Sequence, residues 1–228
     1  TSFSKQTQFV SDASHELRTP IAIIQGYANL LDRWGKNDRE ALDKSIEAIK
    51  SESHSMGELV EKLLFLARND NKSQKVEKNV FYLNELIDEV TEETRMIDKK
   101  HIISNINNEN VQAIADYKLI KQLIRIIVDN SIKFTKEHGK IDISSVKFGK
   151  YINISISDTG IGIPENEIPK IFDRFYCVDK SRSKDIGGSG LGLSIAKQIV
   201  DVYNGTVDIK STVGKGTRIT VSLDIIEN

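Results

Sequence analysis

The apolar pattern of this chain changes period once, and no single architecture accommodates both halves. Over residues 1–70, Val10, Ala13, Leu17, Pro20, Ile24, Tyr27 and Leu31 follow alternating steps of three and four, a heptad seam on one side of a helix. Trp34-Gly35-Lys36-Asn37-Asp38 interrupts the pattern with turn-prone residues. A second seam follows at Leu42, Ile46, Ile49, Ser53, Met56, Val60, Leu63 and Ala67. Two helices on a short turn form an antiparallel hairpin. A lone hairpin cannot shield both seams from water. Pairing of two copies through residues 1–70, as a dimeric four-helix bundle, is therefore expected.

Asn69-Asp70-Asn71-Lys72-Ser73-Gln74 is polar and aperiodic, and 71–79 reads as a linker. Beyond it the period shortens to two. Lys75–Tyr82, His101–Asn107, Val111–Ala115, Lys140–Val146, Tyr151–Ser157, Thr206–Lys210 and Arg218–Asp224 read as strands. Leu83–Lys99, Tyr117–Phe134 and Leu191–Tyr203 read as helices. Helices mixed with a largely antiparallel sheet predict a two-layer α/β sandwich over 80–228.

The length of 228 residues suits two such domains. A net charge of -1 supplies no basic field for nucleic acid. Cys177 is the single cysteine, so no internal disulfide forms. No apolar run approaches the ~18 residues of a membrane span, so no direct membrane contact is expected of this stretch. The abrupt helical start suggests a piece of something longer.

Of four histidines, His54 flanks the second seam, His101 opens a strand, and His138 lies in a Lys-Glu-His-Gly turn; none is given a role. His15 occupies the heptad position farthest from the seam and should face solvent as a nucleophilic imidazole. Thr19, one turn on, shares its face. Pro20 removes a helical hydrogen bond and is expected to bend the helix. Phe9-Val10-Ser11-Asp12-Ala13-Ser14-His15-Glu16-Leu17-Arg18-Thr19-Pro20 resembles the H-box of the dimerisation and phosphotransfer (HisKA-type) domain of sensor histidine kinases. The resemblance implies that His15 is the phospho-acceptor. It further implies that Glu16 orients the ring and takes its proton, and that Thr19 places water when a partner is dephosphorylated.

Four stretches in the second half stand in a telling order. Asp129-Asn130-Ser131-Ile132-Lys133-Phe134 closes an amphipathic helix, with Asn130 and Lys133 one turn apart; an amide oxygen and an ammonium suit Mg²⁺ and phosphate, though a polar helix face has the same look. Asp158-Thr159-Gly160-Ile161-Gly162 ends a strand with a carboxylate followed by a freely turning backbone. Ile171-Phe172-Asp173-Arg174-Phe175-Tyr176 offers aromatics that pack a mobile segment and an arginine for phosphate, or simply an amphipathic helix end. Gly187-Gly188-Ser189-Gly190-Leu191-Gly192 leads glycines into a helix N-terminus, which favours anions. Neither a Walker A lysine nor a Rossmann strand–turn–helix accompanies it. Val178–Ile186, with Lys180, Arg182 and Lys184, reads as a flexible lid or a surface loop.

Together with Gly214-Lys215-Gly216-Thr217, these stretches resemble the N, G1, F, G2 and G3 boxes of the histidine kinase catalytic domain, of the GHKL (Bergerat) ATPase type. That superfamily includes gyrase, chaperone and mismatch-repair ATPases. The resemblance implies ATP and Mg²⁺ as cofactors, with Asn130 on the metal and Lys133 on phosphate. It places Phe134 near adenine and Asp158 on the adenine amine. Arg174, Gly160, Gly162, Gly188, Gly190, Leu191 and Gly192 complete the nucleotide site. It implies a bacterial membrane-anchored receptor, of which this is the cytoplasmic portion. It also implies a response-regulator receiver domain as partner, and phosphatase as well as kinase activity. The alternative is an ATP-gated clamp, which the H-box disfavours.

Overall fold

The computed structural model describes residues 2–34, 38–70, 75–178 and 188–225, and the chain divides into two units, Thr1–Gln74 and Lys75–Asn228.

In the first unit, α1 (Ser2–Trp34) and α2 (Arg39–Asp70) pack on each other. Asp38 starts α2: its carboxylate accepts from the N–H groups of Glu40 and Ala41 at 3.0 and 3.1 Å, satisfying donors that a helix start leaves open. The buried stripe of α2 differs from the expected seam. Ser45, Leu59 and Leu66 are buried, with Leu42, Ile49, Glu52, Met56 and Leu63 half-buried between them. Ile46 and Val60 are instead 40% and 39% exposed, and Ser53 is exposed too. On α1, Val10 and Tyr27 also face out, with Ile21 and Leu30. The cause is that α2 carries apolar residues on two flanks. One flank meets α1. The other stays exposed. Ser45 joins the first because its hydroxyl donates to the Ala41 carbonyl at 2.6 Å, which settles its polarity inside its own helix.

In the second unit, β1 (Asn79–Tyr82) pairs antiparallel with β3 (Gln112–Ala115) as a separate ribbon. Lys75–Asn79, part of the stretch read as linker, groups with this unit; the Glu77 N–H donates to Asp116 at 3.0 Å. The main sheet runs in the order β2 (Ile102–Ser104), β4 (Lys140–Phe148), β5 (Tyr151–Asp158), β7 (Gly216–Leu223), β6 (Thr206–Thr212). The β2–β4 pair is parallel and the other pairs are antiparallel. Helices α3 (Leu83–Ile97), α4 (Tyr117–Phe134) and α5 (Gly192–Val202) cover one face.

Alternation builds the core. Ile141 and Ile143, Ile152, Ile154 and Ile156, and Ile219, Val221 and Leu223 turn inward against Leu86, Val90, Leu123, Ile127, Ile195 and Ile199 of the helices. Each such side chain contributes about 1.5–3 kcal/mol by leaving water. The opposite face is polar: Ser155 meets Thr220 at 2.9 Å, and Ser222 donates to Asn153 at 2.6 Å. Asp116 caps α4 by accepting from Lys118 and Leu119 N–H groups. The two-layer sandwich is as expected. The separate ribbon has no counterpart in the periodicity, since its strands read like the rest.

Candidate functional site

On α1, His15 is exposed, as are Glu16, Arg18 and Thr19, while Leu17 and Pro20 are half-buried on the other side. The helical stagger places Thr19 on the His15 face. The hydroxyl of Ser14 donates to the Val10 carbonyl at 2.7 Å, and Gln8 donates to Asp12 at 2.8 Å, so those neighbours are committed locally. The helix runs from Ser2 to Trp34 as one element through Pro20, which removes the donor for the Glu16 carbonyl without ending the helix.

In the second unit the last turn of α4, the end of β5, the turn before β7 and the start of α5 come together. Asp158 is the common point. Its Oδ1 accepts from the N–H groups of Gly160 at 2.8 Å and Thr217 at 3.1 Å, and its Oδ2 accepts from the Ser131 hydroxyl at 3.0 Å. Nothing in the local sequence marks Ser131 or the Thr217 amide. They lie 27 and 59 residues from Asp158, and only the fold relates them.

Asn130 donates its Nδ2 to the Ile126 carbonyl at 2.8 Å, which leaves Oδ1 as the acceptor that it offers. It packs beside Gly192: a Cβ there would lie 3.6 Å from Asn130 Nδ2. Lys133 reaches Gly188 closely enough that a Cβ at Gly188 would lie 2.2 Å from Nζ, and its ammonium stands 5.9 Å from the Phe134 ring centroid. Phe134 is 39% exposed, a ring available for stacking.

Three glycines here are required by the backbone. A Cβ on Gly160 would lie 2.5 Å from the Phe134 carbonyl oxygen, because the Ile161 N–H donates to that carbonyl at 3.0 Å. Gly190 has φ 66° and accepts from the Phe175 N–H at 3.0 Å, joining the aromatic stretch to the glycine-rich one. Gly162, at φ 71°, turns the chain against Thr212. Arg174 is half-buried beside Phe175, and the Tyr176 hydroxyl donates to Glu167. Leu191 is fully buried and precedes α5, whose first turn carries no acidic residue. The expected lid, with Lys180, Arg182 and Lys184, lies outside the described residues except for Val178, as does Gly187.

This arrangement offers a fixed carboxylate, an amide oxygen, an ammonium, an exposed ring and a helix N-terminus: an acceptor for a donor group, a surface for a flat ring, and positive charge for an anion. Among the described residues no group of three or more His, Cys, Asp or Glu side chains is placed to hold a metal.

Residues 5–72 match the His Kinase A (phospho-acceptor) domain family, and residues 115–227 match the histidine kinase-, DNA gyrase B-, and HSP90-like ATPase family. Sensor histidine kinase YkoH of Bacillus subtilis (strain 168) is 40% identical over 219 residues, which cover 96% of this chain and 48% of that protein. Signal transduction histidine-protein kinase ArlS of Staphylococcus aureus (strain USA300) is 40% identical over 224 residues, 96% of this chain and 49% of that protein. The chain thus spans about half the length of these relatives. The catalytic domain of histidine kinase ThkA is 32% identical at a TM-score of 0.54, covering 64% of this chain and 95% of that one. ThkA solved in complex with the response regulator protein TrrA is 28% identical at a TM-score of 0.73, covering 97% of this chain and 62% of that one. With a phospho-acceptor match on the hairpin and an ATPase match on the sandwich, the chain belongs to the sensor histidine kinase family.

Proposed function

We propose that this chain phosphorylates its own His15 from ATP and passes the phosphoryl group to an aspartate of a response regulator. The observation that carries the reading is the solvent-exposed His15 on α1, in a chain whose second unit presents the Asp158-centred cradle. Phosphoryl transfer asks a protein mainly for positioning and charge. Asp158 accepts the adenine amine, Phe134 lies along the base, and Lys133 and the start of α5 meet phosphate, with the backbone of Gly160, Gly162, Gly188, Gly190 and Gly192 shaping the walls and Arg174 contributing positive charge. Mg²⁺, when bound, neutralises phosphate charge. The Asn130 Oδ1 suits it, and the lack of a carboxylate cluster among the described residues fits an ion that takes most of its shell from phosphate and water.

A ring nitrogen of His15 bonds to the γ-phosphorus as the bond to the β-phosphate oxygen breaks and ADP leaves. Glu16 takes the ring proton. The aspartate of the regulator then displaces the imidazole, forming an acyl phosphate. The ThkA–TrrA complex supports such a partner. Thr19, on the His15 face, positions water for the reverse service, hydrolysis of the phosphorylated regulator.

The exposed flanks of the hairpin, with Ile21, Leu30, Ile46 and Val60, support pairing of residues 1–70 with a second copy. Domain limits of 1–70, 71–79 and 80–228 belong to the same reading, as does the cytoplasmic portion of a membrane-anchored receptor, supported by a relative named a sensor histidine kinase, about half of whose length this chain spans. No helix among the described residues is long and apolar enough to cross a membrane. The phospho-acceptor match over 5–72 favours this reading over an ATP-gated clamp.

Incubation with γ-labelled ATP tests it. Acid-labile, base-stable label on the wild type and none on His15→Gln, with nucleotide binding retained, is the expected result. Persistent acid-labile label on His15→Gln would overturn the assignment.

A further inference from the structure

Asp116 divides its carboxylate between two tasks. Oδ1 accepts from the N–H groups of Lys118 at 3.0 Å and Leu119 at 3.2 Å and so caps α4. Oδ2 accepts from the Glu77 N–H at 3.0 Å, 39 residues back in the chain. The Asp116 N–H in turn donates at 2.9 Å to the hydroxyl of Tyr203, the C-cap of α5. Asp116 is 9% exposed and Tyr203 6%, so these bonds form largely out of water. Capping needs a single oxygen, which serine, threonine or asparagine supplies about as well as aspartate. The second oxygen is what aspartate adds, and it is spent on the chain entering the second unit.

The backbone ladder between β1 and β3 ends at the pair Asn79–Ala115. Asp116 follows Ala115, and its side chain takes over where that ladder stops, so the chain is held from Glu77 rather than from Asn79. The point of attachment is the start of α4. That helix has 18 residues, about 27 Å, and is buried along one side through Leu119, Leu123 and Ile127. Its far turn carries Asn130, Ser131, Lys133 and Phe134. The helix packed on it, α5, begins at Gly192 beside Asn130 and ends at Tyr203. Asp116 therefore grips both helices of the nucleotide cradle at the ends remote from it.

We propose that Asp116 is a positioning residue for phosphoryl transfer: by holding the Glu77 amide at the start of α4, it makes the chain arriving from α2 join the nucleotide-bearing unit in a fixed direction, and so governs how the nucleotide is presented to His15. The proposal rests on the autophosphorylation reading above. Within one chain the two units connect through the Gln74–Lys75 boundary, just before this anchor. Length and direction make different predictions. Release of Glu77 lengthens the tether slightly, and closure entropy grows slowly with length, so length alone costs the transfer rate less than about twofold. Direction costs more, since transfer depends on bringing the reacting atoms into line.

The test uses the full chain and γ-labelled ATP. Glu77→Pro removes the N–H and leaves the Asp116 cap of α4 in place. Glu77→Ala keeps the N–H and loses only an exposed side chain, and is expected to match the wild type. Glu77→Pro is expected to incorporate label about three- to tenfold more slowly at saturating ATP, with KM and the calorimetric affinity for Mg²⁺–ADP unchanged. Asp116→Asn keeps a capping oxygen but lacks the second acceptor, and is expected to slow labelling by a similar factor. In the wild type the Glu77 amide is expected to exchange with deuterium far more slowly than a free amide, and in Asp116→Asn at close to the free rate. A Glu77→Pro rate within about twofold of wild type, an equal loss in Glu77→Ala, or a freely exchanging wild-type Glu77 amide overturns the proposal. So does a loss of nucleotide affinity that accounts for the whole effect. Should Glu77→Pro fail to fold, Asp116→Asn and the exchange of the Glu77 amide decide it. An absence of label on the wild type overturns the autophosphorylation reading instead, and the exchange measurement still decides the anchor.

Discussion

The Ser131 hydroxyl donates to Asp158 Oδ2 across 3.0 Å and so ties the last turn of α4 to the end of β5. With Oδ1 taken by two backbone amides, the open acceptor site on Oδ2 is aimed before any ligand arrives. Ser131→Ala is expected to weaken Mg²⁺–ATP binding by about three- to tenfold, the worth of one hydrogen bond to a charged group. Calorimetric titration checks this. Unchanged affinity would mean that the hydroxyl has no part in aiming the carboxylate.

Gly216 holds φ 122°, and a Cβ there would lie 2.0 Å from the Asp158 carbonyl oxygen. Gly216→Ala is expected to cost about 2 kcal/mol or more in denaturant unfolding, through strain and displaced backbone. Gly149 is the control: its φ is 59°, but nothing lies within 4 Å of an added Cβ, so alanine there is expected to cost only ~1 kcal/mol.

The two flanks of α2 predict two kinds of failure. Leu66 is fully buried, and Leu66→Ala is expected to lower the stability of the hairpin by about 2–5 kcal/mol. Ile46→Glu and Val60→Glu, on the open flank, are expected to leave helicity intact and shift the chain to monomer. Circular dichroism and sedimentation separate the outcomes. A wild-type chain that sediments as a monomer would remove the basis for the pairing.

Tyr117 sits against the ring of Phe81 with a 5.1 Å centroid separation, and its hydroxyl donates to Glu89. Burial, then the hydrogen bond to Glu89 and its charge, push the phenol up to about 12. A raised value means that folding favours the protonated form. That contribution is whole below the ordinary tyrosine value of ~10 and is lost as pH climbs toward the folded one. Phenolate absorbance of the wild type minus Tyr117→Phe is expected to show a late step, and Glu89→Gln to bring it earlier.

The strands and helices of the second unit were legible because their faces differ sharply: Ile152, Ile154 and Ile156 alternate with Asn153, Ser155 and Ser157. The α2 seam was half legible. Leu42, Ile49, Met56 and Leu63 belong to both possible stripes, so the spacing fitted either, and the partner stripe at Ser45, Glu52, Leu59 and Leu66 was disguised by two polar members. For the site, Asp158 and the glycines announced themselves through local turn chemistry. Ser131 did not, because a helical serine has no signature until the fold brings a carboxylate to it. His101 is silent for the same reason: Asp98, one partner of its ring, is three residues away in the sequence, but the other, the Thr135 carbonyl, is 34 away.

Where Pro20 sits, the ladder of α1 is one rung short, and the missing rung is the one that would close on the Glu16 carbonyl. The helix continues, with a single turn beside His15 held by one hydrogen bond fewer. On the proposed reading a phosphorylated His15 ring needs somewhere to swing, and this gap offers it without loosening the helix above or below. Amide hydrogens flanking Pro20 will therefore trade with solvent sooner than those in the rest of α1.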